Sequence, residues 1–105
     1  MQMGMEIPKD RIRVEGPVKT FASSSFAQRA WCDTCGTTLW FADTEGEGAA
    51  YLELAPGLFD NAGGARLARV VYADCHPDGY QLAGDYVSVT KAEYESGHRH
   101  VEDAS

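Results

Sequence analysis

Short runs in which hydrophobic and polar residues alternate recur along the chain, with turn-forming residues between them. In residues 1–7 (MQMGMEI) the odd positions are apolar and the even positions are polar or glycine. A period of two places alternate side chains on one face of an extended strand. The pattern predicts a half-buried strand at the edge of a sheet, ending at the turn formed by residues 8–10 (PKD).

The same alternation, or enrichment in β-branched and aromatic residues, predicts several further strands. They lie at residues 11–15, 18–21, 49–54, 67–73 and 86–89, with strand-like sequence at 26–31 and 37–41. Short strands separated by closely spaced turns are typical of an all-β domain. The predicted fold class is therefore all-β.

One short helix is predicted near the end of the chain. Thr90 followed by Glu93 matches a capping box, and Gly97 matches a helix stop, so the helix is expected over about residues 91–95. We predict one β-domain over residues 1–97, followed by a polar tail at 98–105. At 105 residues the chain has the length of a single domain.

Charge and composition exclude some classes of partner. Nine Lys and Arg face sixteen Asp and Glu, giving a formal net charge of −7. No basic stripe is available to meet phosphates, so neither nucleic acid nor an anionic membrane surface is an expected partner. The first residues (MQMGME) have no features of a signal peptide, and the expected location is the cytoplasm.

The strongest chemical signal is the pair Cys32 and Cys35 in the segment 30–40 (AWCDTCGTTLW). A Cys-x-x-Cys-Gly turn between two strands is typical of a zinc knuckle, because the turn aims both sulfurs at one point. A redox pair and a pair of structural thiols are the alternatives. Strand sequence follows the pair, whereas a redox Cys-x-x-Cys usually precedes a helix. A structural zinc needs four ligands, and this turn supplies two.

Four other residues are candidate ligands. Cys75 and His76 lie in a turn-rich loop from which they could donate one ligand to the knuckle, or both could be incidental loop residues. His98 and His100 could chelate a metal because alternate residues of an extended segment share a face, or they could simply be solvated.

Several segments together resemble the later part of the glutathione-dependent formaldehyde-activating enzyme family, which shares its domain with centromere protein V. The most specific is 28–39 (QRAWCDTCGTTL), preceded by 14–25 (VEGPVKTFASSS). Residues 58–60 (LFD) and 69–74 (RVVYAD) followed by Pro77 resemble later family segments, and the similarity spans most of residues 6–95.

The resemblance implies a small zinc-binding β-tent fold and a carbon–sulfur lyase acting on thiol adducts such as S-hydroxymethylglutathione. In that family a structural zinc takes two cysteines from an N-terminal C-x-C and two from a later C-x-x-C, which Cys32 and Cys35 match. A second, catalytic zinc is held by an N-terminal C-x-C-x-x-C cluster. Both N-terminal clusters are absent here, and Cys75 is not a family ligand.

Two explanations follow from this departure. The chain is either an N-terminally truncated version of a longer protein or a half-domain that has lost the chemistry. In both cases the chain alone is predicted to be inactive, with small thiols such as glutathione as partners only by resemblance. The alternative is a non-catalytic homodimer or binding module, in which two chains share one four-cysteine zinc site.

Overall fold

A computed structural model of the chain describes residues 2–98 and residue 100. The described residues form seven β-strands, five short 3-10 turns and one α-helix, which confirms the all-β fold class. They divide into two compact units, one up to Ala65 and one from Arg66 onwards. The predicted domain at 1–97 and tail at 98–105 stay predictions, and residues 99 and 101–105 lie outside the described residues.

The first unit contains one antiparallel sheet of five strands. The strands are β1 (Met5–Pro8), β2 (Val18–Ser24), β3 (Ala27–Cys32), β4 (Thr38–Asp43) and β5 (Tyr51–Leu54). Their order is β1-β5-β4-β3-β2, so that β2 to β5 form a meander and β1 pairs beside β5. The N-terminal edge strand predicted at residues 1–7 is confirmed from Met5 to Ile7, whereas residues 2–4 belong to no strand and β1 runs one residue further, to Pro8.

One face of this sheet carries the core of the unit. Ala42, Leu52 and Leu54 are buried and in contact, and partly buried residues pack against them (Met5, Ile7, Ile12 and Trp40). Leu52 and Leu54 alternate along β5, so their shared face agrees with the period-two pattern. The small core explains why the described part of the chain has no large, completely buried side chain.

The prediction of a strand at residues 11–15 is wrong. Lys9–Arg11 form a 3-10 turn, and residues 12–15 belong to no strand. Ile12 still packs against the core, but Val14 is 49% exposed. The alternation of Ile12 and Val14 therefore does not mark one buried strand face, because only Ile12 is used to cover the sheet.

The second unit contains a parallel pair of short strands, β6 (Arg69–Val71) and β7 (Val87–Val89), and the helix α1 (Lys91–Gly97). The predicted capping box is confirmed: the Thr90 hydroxyl accepts from the Glu93 N–H, and the Glu93 carboxylate accepts from the Thr90 N–H. The helix runs two residues further than expected. Within the described residues, no helix is long and apolar enough to span a bilayer.

Candidate metal half-site at the β3–β4 hairpin

The two cysteines of the knuckle lie in the turn that joins β3 to β4. Cys32 is the last residue of β3, and its N–H donates to the carbonyl of Thr37 at 2.9 Å. The N–H of Gly36 donates back to the carbonyl of Cys32 at 2.8 Å. Gly36 has a φ of +77°, a left-handed conformation that glycine adopts without a steric penalty. These features explain why the segment folds as a closed knuckle.

A third strand also holds the knuckle in place. Cys32 pairs with Val18 at the start of β2, and the N–H of Asp33 donates to the carbonyl of Pro17 at 3.1 Å. The cysteine turn is therefore fixed by its own hairpin and by the residues that enter β2. A turn held from two sides keeps its side chains in a constant geometry, as a metal site requires.

The thiols differ in their surroundings. Cys32 is half-buried, whereas Cys35 is exposed, and both are free thiols, as is Cys75. The Sγ atom of Cys35 lies 3.0 Å from Oγ1 of Thr37. The Thr37 hydroxyl, followed by the Thr37 N–H and the Cys32 thiol, lowers the pKa of Cys35, and its exposure leaves little opposing desolvation. The thiolate that these donors favour is the form that binds metals.

The donor chemistry of the turn fits half of a structural zinc site. Two thiols on one Cys-x-x-Cys turn are the usual contribution of one knuckle, and a tetrahedral zinc requires two more ligands. Across residues 2–98 and 100, no group of three or more His, Cys, Asp or Glu side chains is arranged to hold a metal. The strand β4 follows the pair, so the helix N-terminus that activates redox thiols is missing at this turn.

Cys75 and His76 lie in the second unit and engage local partners. Cys75 ends a 3-10 turn and is exposed, with its Sγ 3.8 Å from Oδ1 of Asp74. The Nδ1 of His76 lies 2.9 Å from the carbonyl oxygen of Pro77. These contacts are typical of loop residues, and a ligand role for either residue stays a prediction.

His98 and His100 both contact the helix α1. The ring of His98 stacks on the ring of Tyr94 with 4.3 Å between centroids. Nε2 of His100 lies 3.8 Å from a carboxylate oxygen of Glu95, whose other oxygen accepts from the hydroxyl of Tyr72 at 2.9 Å. Each histidine therefore has its own neighbour on the helix, and their joint use as a chelate stays a prediction.

The face of the five-stranded sheet opposite Leu52 and Leu54, here called the outer face, is a feature that the sequence did not reveal. A groove of about 210 Å³ on this unit is lined by aromatic and charged side chains, including Phe21, Arg29, Trp31, Phe41 and Glu53. Only the strand register places these aromatic residues beside Arg29, so periodicity alone could not find the groove.

Comparison with known proteins finds a distant relative. A Schizosaccharomyces pombe protein named as an uncharacterized lyase is 39% identical over 66 residues, which cover 63% of this chain and 47% of that protein. The chain thus spans about half the length of this curated relative. No family model and no solved structure matches the chain. The comparison indicates a relation to a lyase.

Proposed function

We propose that this chain is the knuckle-bearing part of a zinc-dependent carbon–sulfur lyase of the glutathione-dependent formaldehyde-activating type. The observation that carries the proposal is the closed Cys32–Cys35 turn between two strands, followed by Gly36 in a left-handed conformation. The relation to a protein named as a lyase supports it. The β-tent arrangement implied by the resemblance is part of the same proposal.

In this proposal the metal at the knuckle is a structural zinc. Cys32 and Cys35 supply two thiolates, and the lowered pKa of Cys35 favours the form that binds. A separate catalytic zinc would supply Lewis-acid or thiolate-organising chemistry for thiol adducts such as S-hydroxymethylglutathione. No residue of this chain corresponds to a ligand of that second metal, so we expect the 105-residue chain alone to be inactive.

Activity is tested by adding glutathione, formaldehyde and zinc to the purified chain and following adduct formation. We expect a rate equal to that of the spontaneous reaction. A zinc-dependent enhancement would contradict the expected inactivity. The coding sequence directly upstream of the Met1 codon tests the truncation: an in-frame extension with C-x-C and C-x-C-x-x-C supports a longer lyase, and its activity in the same assay tests the reaction.

A second candidate function is favoured by the exposure of the knuckle. Cys35 and its neighbours from Asp33 to Thr38 are all exposed, so the knuckles of two chains can approach each other. Two Cys-x-x-Cys turns supply the four thiolates of a structural zinc site. The product would be a non-catalytic, metal-stapled dimer or binding module.

The zinc content of the purified chain separates these arrangements. About half a zinc per chain, lost together with dimerisation in Cys32→Ser, supports the shared site. About one zinc per chain means that Cys75, His76, His98 or His100 supplies further ligands. Cys75→Ser is the matched control, because this exposed thiol is outside the knuckle and its loss leaves the two-chain site intact. Absence of zinc at saturating metal would contradict both zinc proposals.

A further inference from the structure

Residues 2–4, here called the strap, lie over the outer face of the five-stranded sheet. They belong to no strand, and β1 begins only at Met5 on the edge of the sheet. Nη1 of Arg29 donates to the side-chain carbonyl oxygen of Gln2. Because β5 and β4 separate β1 from β3, which carries Arg29, this contact bridges the two strands between them.

A glycine brings the strap close to the sheet. A Cβ added at Gly4 would lie 2.9 Å from the Cβ of Glu53, a separation that two side chains do not adopt unless one of them shifts. The Cβ of Glu53 is fixed to the backbone of β5, so the strap would have to move. Gly4 therefore allows the backbone of the strap to pack directly against β5.

The strap forms one wall of the groove of about 210 Å³ on the outer face. Gln2 and Met3 line this groove together with side chains of the sheet, including Phe21, Arg29, Trp31, Phe41 and Glu53, but neither cysteine of the knuckle lines it. The guanidinium of Arg29 lies over the ring of Phe41, 5.2 Å from its centroid. One groove thus combines an arginine that binds an amide oxygen, an apolar side chain of the next residue and several aromatic rings.

We propose that this groove is a recognition site for a short peptide whose C-terminal residue has an apolar side chain, and that the strap occupies the site as an internal competitor. The strap itself indicates the chemistry of the ligand, since it offers Arg29 an oxygen acceptor and adds an apolar side chain. A carboxylate binds arginine more strongly than an amide oxygen does, because the bond then joins opposite charges. A C-terminal carboxylate would displace Gln2, and the side chain of the same residue would replace Met3.

The acidity of the chain restricts which peptides fit. The net charge is −7, and Glu53 lines the same groove. Glu53 pairs with Phe41, which pairs with Arg29, so two strand spacings, about 9–10 Å, separate the backbones of the acidic and the basic residue. The carboxylate therefore belongs at the Arg29 end of the groove. A ligand with one carboxylate beside an uncharged side chain fits better than a ligand with several acidic groups.

N-acetyl-L-methionine is the probe, because it has a free carboxylate beside an apolar side chain. N-acetyl-L-methioninamide is the matched compound without the carboxylate. NMR titration from about 0.1 mM to about 50 mM covers the weak affinities of so small a ligand, and the Trp31 indole signal reports on the groove. The tethered strap competes at a high effective concentration, so the parent chain should bind weakly.

Gln2→Ala removes the competing acceptor at an exposed position, and it should bind N-acetyl-L-methionine at least about threefold more tightly than the parent chain. Gln81→Ala, at an exposed glutamine of the second unit, is the matched control and should bind like the parent. Gly4→Ala should also tighten binding, because the strap must move. Gly57→Ala, whose added Cβ meets nothing within 4 Å, should not.

The role of Arg29 is tested with both compounds. The parent and Gln2→Ala should prefer the acid to the amide, and Arg29→Gln should lose this preference. Binding should persist in Cys32→Ser with a chelator, which separates this site from the knuckle and from the proposed lyase function. Equal affinity of Gln2→Ala for acid and amide, no binding by either strap variant, or equal affinity in the parent and both strap variants overturns the proposal.

Discussion

The Cys35 thiol and the Thr37 hydroxyl lie 3.0 Å apart, two residues from each other on the turn that leads into β4. This contact is the largest cause of the lowered pKa of Cys35. Thr37 also closes the knuckle, because its carbonyl accepts from the N–H of Cys32. Thr37 therefore contributes both to the closure of the turn and to the lowered pKa of its exposed thiol.

Replacing Thr37 with valine should make Cys35 less reactive. Valine keeps the β-branched shape and the backbone contacts but removes the hydroxyl that stabilises the thiolate, so the pKa of Cys35 should rise. At pH values below that pKa the thiolate fraction falls, and alkylation of Cys35 by iodoacetamide should slow severalfold. Peptide mass spectrometry of the zinc-free protein measures the extent of alkylation at each cysteine separately. Thr34→Val, an exposed control in the same turn, should react like the parent; equal slowing in both variants would refute the assignment.

Replacing Gly36 with alanine should destabilise the first unit. The φ of +77° is unfavourable for a residue with a Cβ, although nothing lies within 4 Å of the added atom. The cost is therefore conformational and should be about 1–2 kcal/mol in the free energy of unfolding. Urea denaturation measures this loss of stability. Gly57→Ala is the matched control, since it also meets no neighbour and has no positive φ. Equal losses in both variants would show that backbone strain is not the cause.

Asp74 should make the start of α1 sensitive to acid. Its Oδ1 accepts from the N–H of Lys91 at 2.9 Å, and this bond is the main reason that the pKa of Asp74 is lowered. A carboxyl with a lowered folded-state pKa stabilises the fold above its unfolded value of about 3.9. That contribution is lost as the pH falls through the lower, folded-state pKa.

Hydrogen exchange of the Lys91 amide measures this effect. After correction for intrinsic exchange, protection should fall below about pH 3.9 in the parent chain. Asp74→Asn should have lower protection at neutral pH and a weaker dependence on pH, because the amide cannot ionise. Thr90→Ser is a control that keeps both the cap and Asp74, and it should behave like the parent. An unchanged acid response in Asp74→Asn would assign the effect to another carboxyl.

Truncating Leu54 should lower the free energy of unfolding far more than truncating an exposed aliphatic residue. Leu54 is buried against Ala42 and Leu52, and Trp40 packs on the same cluster. Leu54→Ala removes buried contacts and leaves a cavity, which should lower the free energy of unfolding by about 2–3 kcal/mol. Val14→Ala, at a position 49% exposed, should change it by less than about 0.5 kcal/mol. Similar losses in the two variants would contradict the assigned core.

The sequence pattern predicted most accurately the elements that depend on interactions between residues close together in the sequence. The helix α1 was predictable because Thr90 and Glu93 satisfy each other three residues apart. Leu52 and Leu54 were assigned to one face because alternation on a strand is a local property. The strand at residues 11–15 failed because a strand also needs a hydrogen-bonding neighbour, and alternation carries no information about that neighbour.

The same distinction applies to the candidate site. Cys32, Cys35 and Gly36 lie within five residues, so their turn could be predicted from spacing alone. The support from Pro17 depends on the pairing of β2 with β3, and the link between Thr37 and Cys35 depends on side-chain orientation. The groove on the outer face is harder still to predict, since its lining depends on three strand registers at once.

The position of β1 has a consequence for how the chain folds during synthesis. The meander from β2 to β5 pairs neighbours in sequence, so each strand can add to the one just made. Met5 pairs with Leu54, however, and β1 can find its place only after β5 has left the ribosome. Of these five strands β1 is made first, yet it joins the sheet no earlier than β5, and closing that long loop should slow folding of the first unit. Until then Met5 and Ile7 remain unprotected, which gives a chaperone an interval in which to bind the nascent chain.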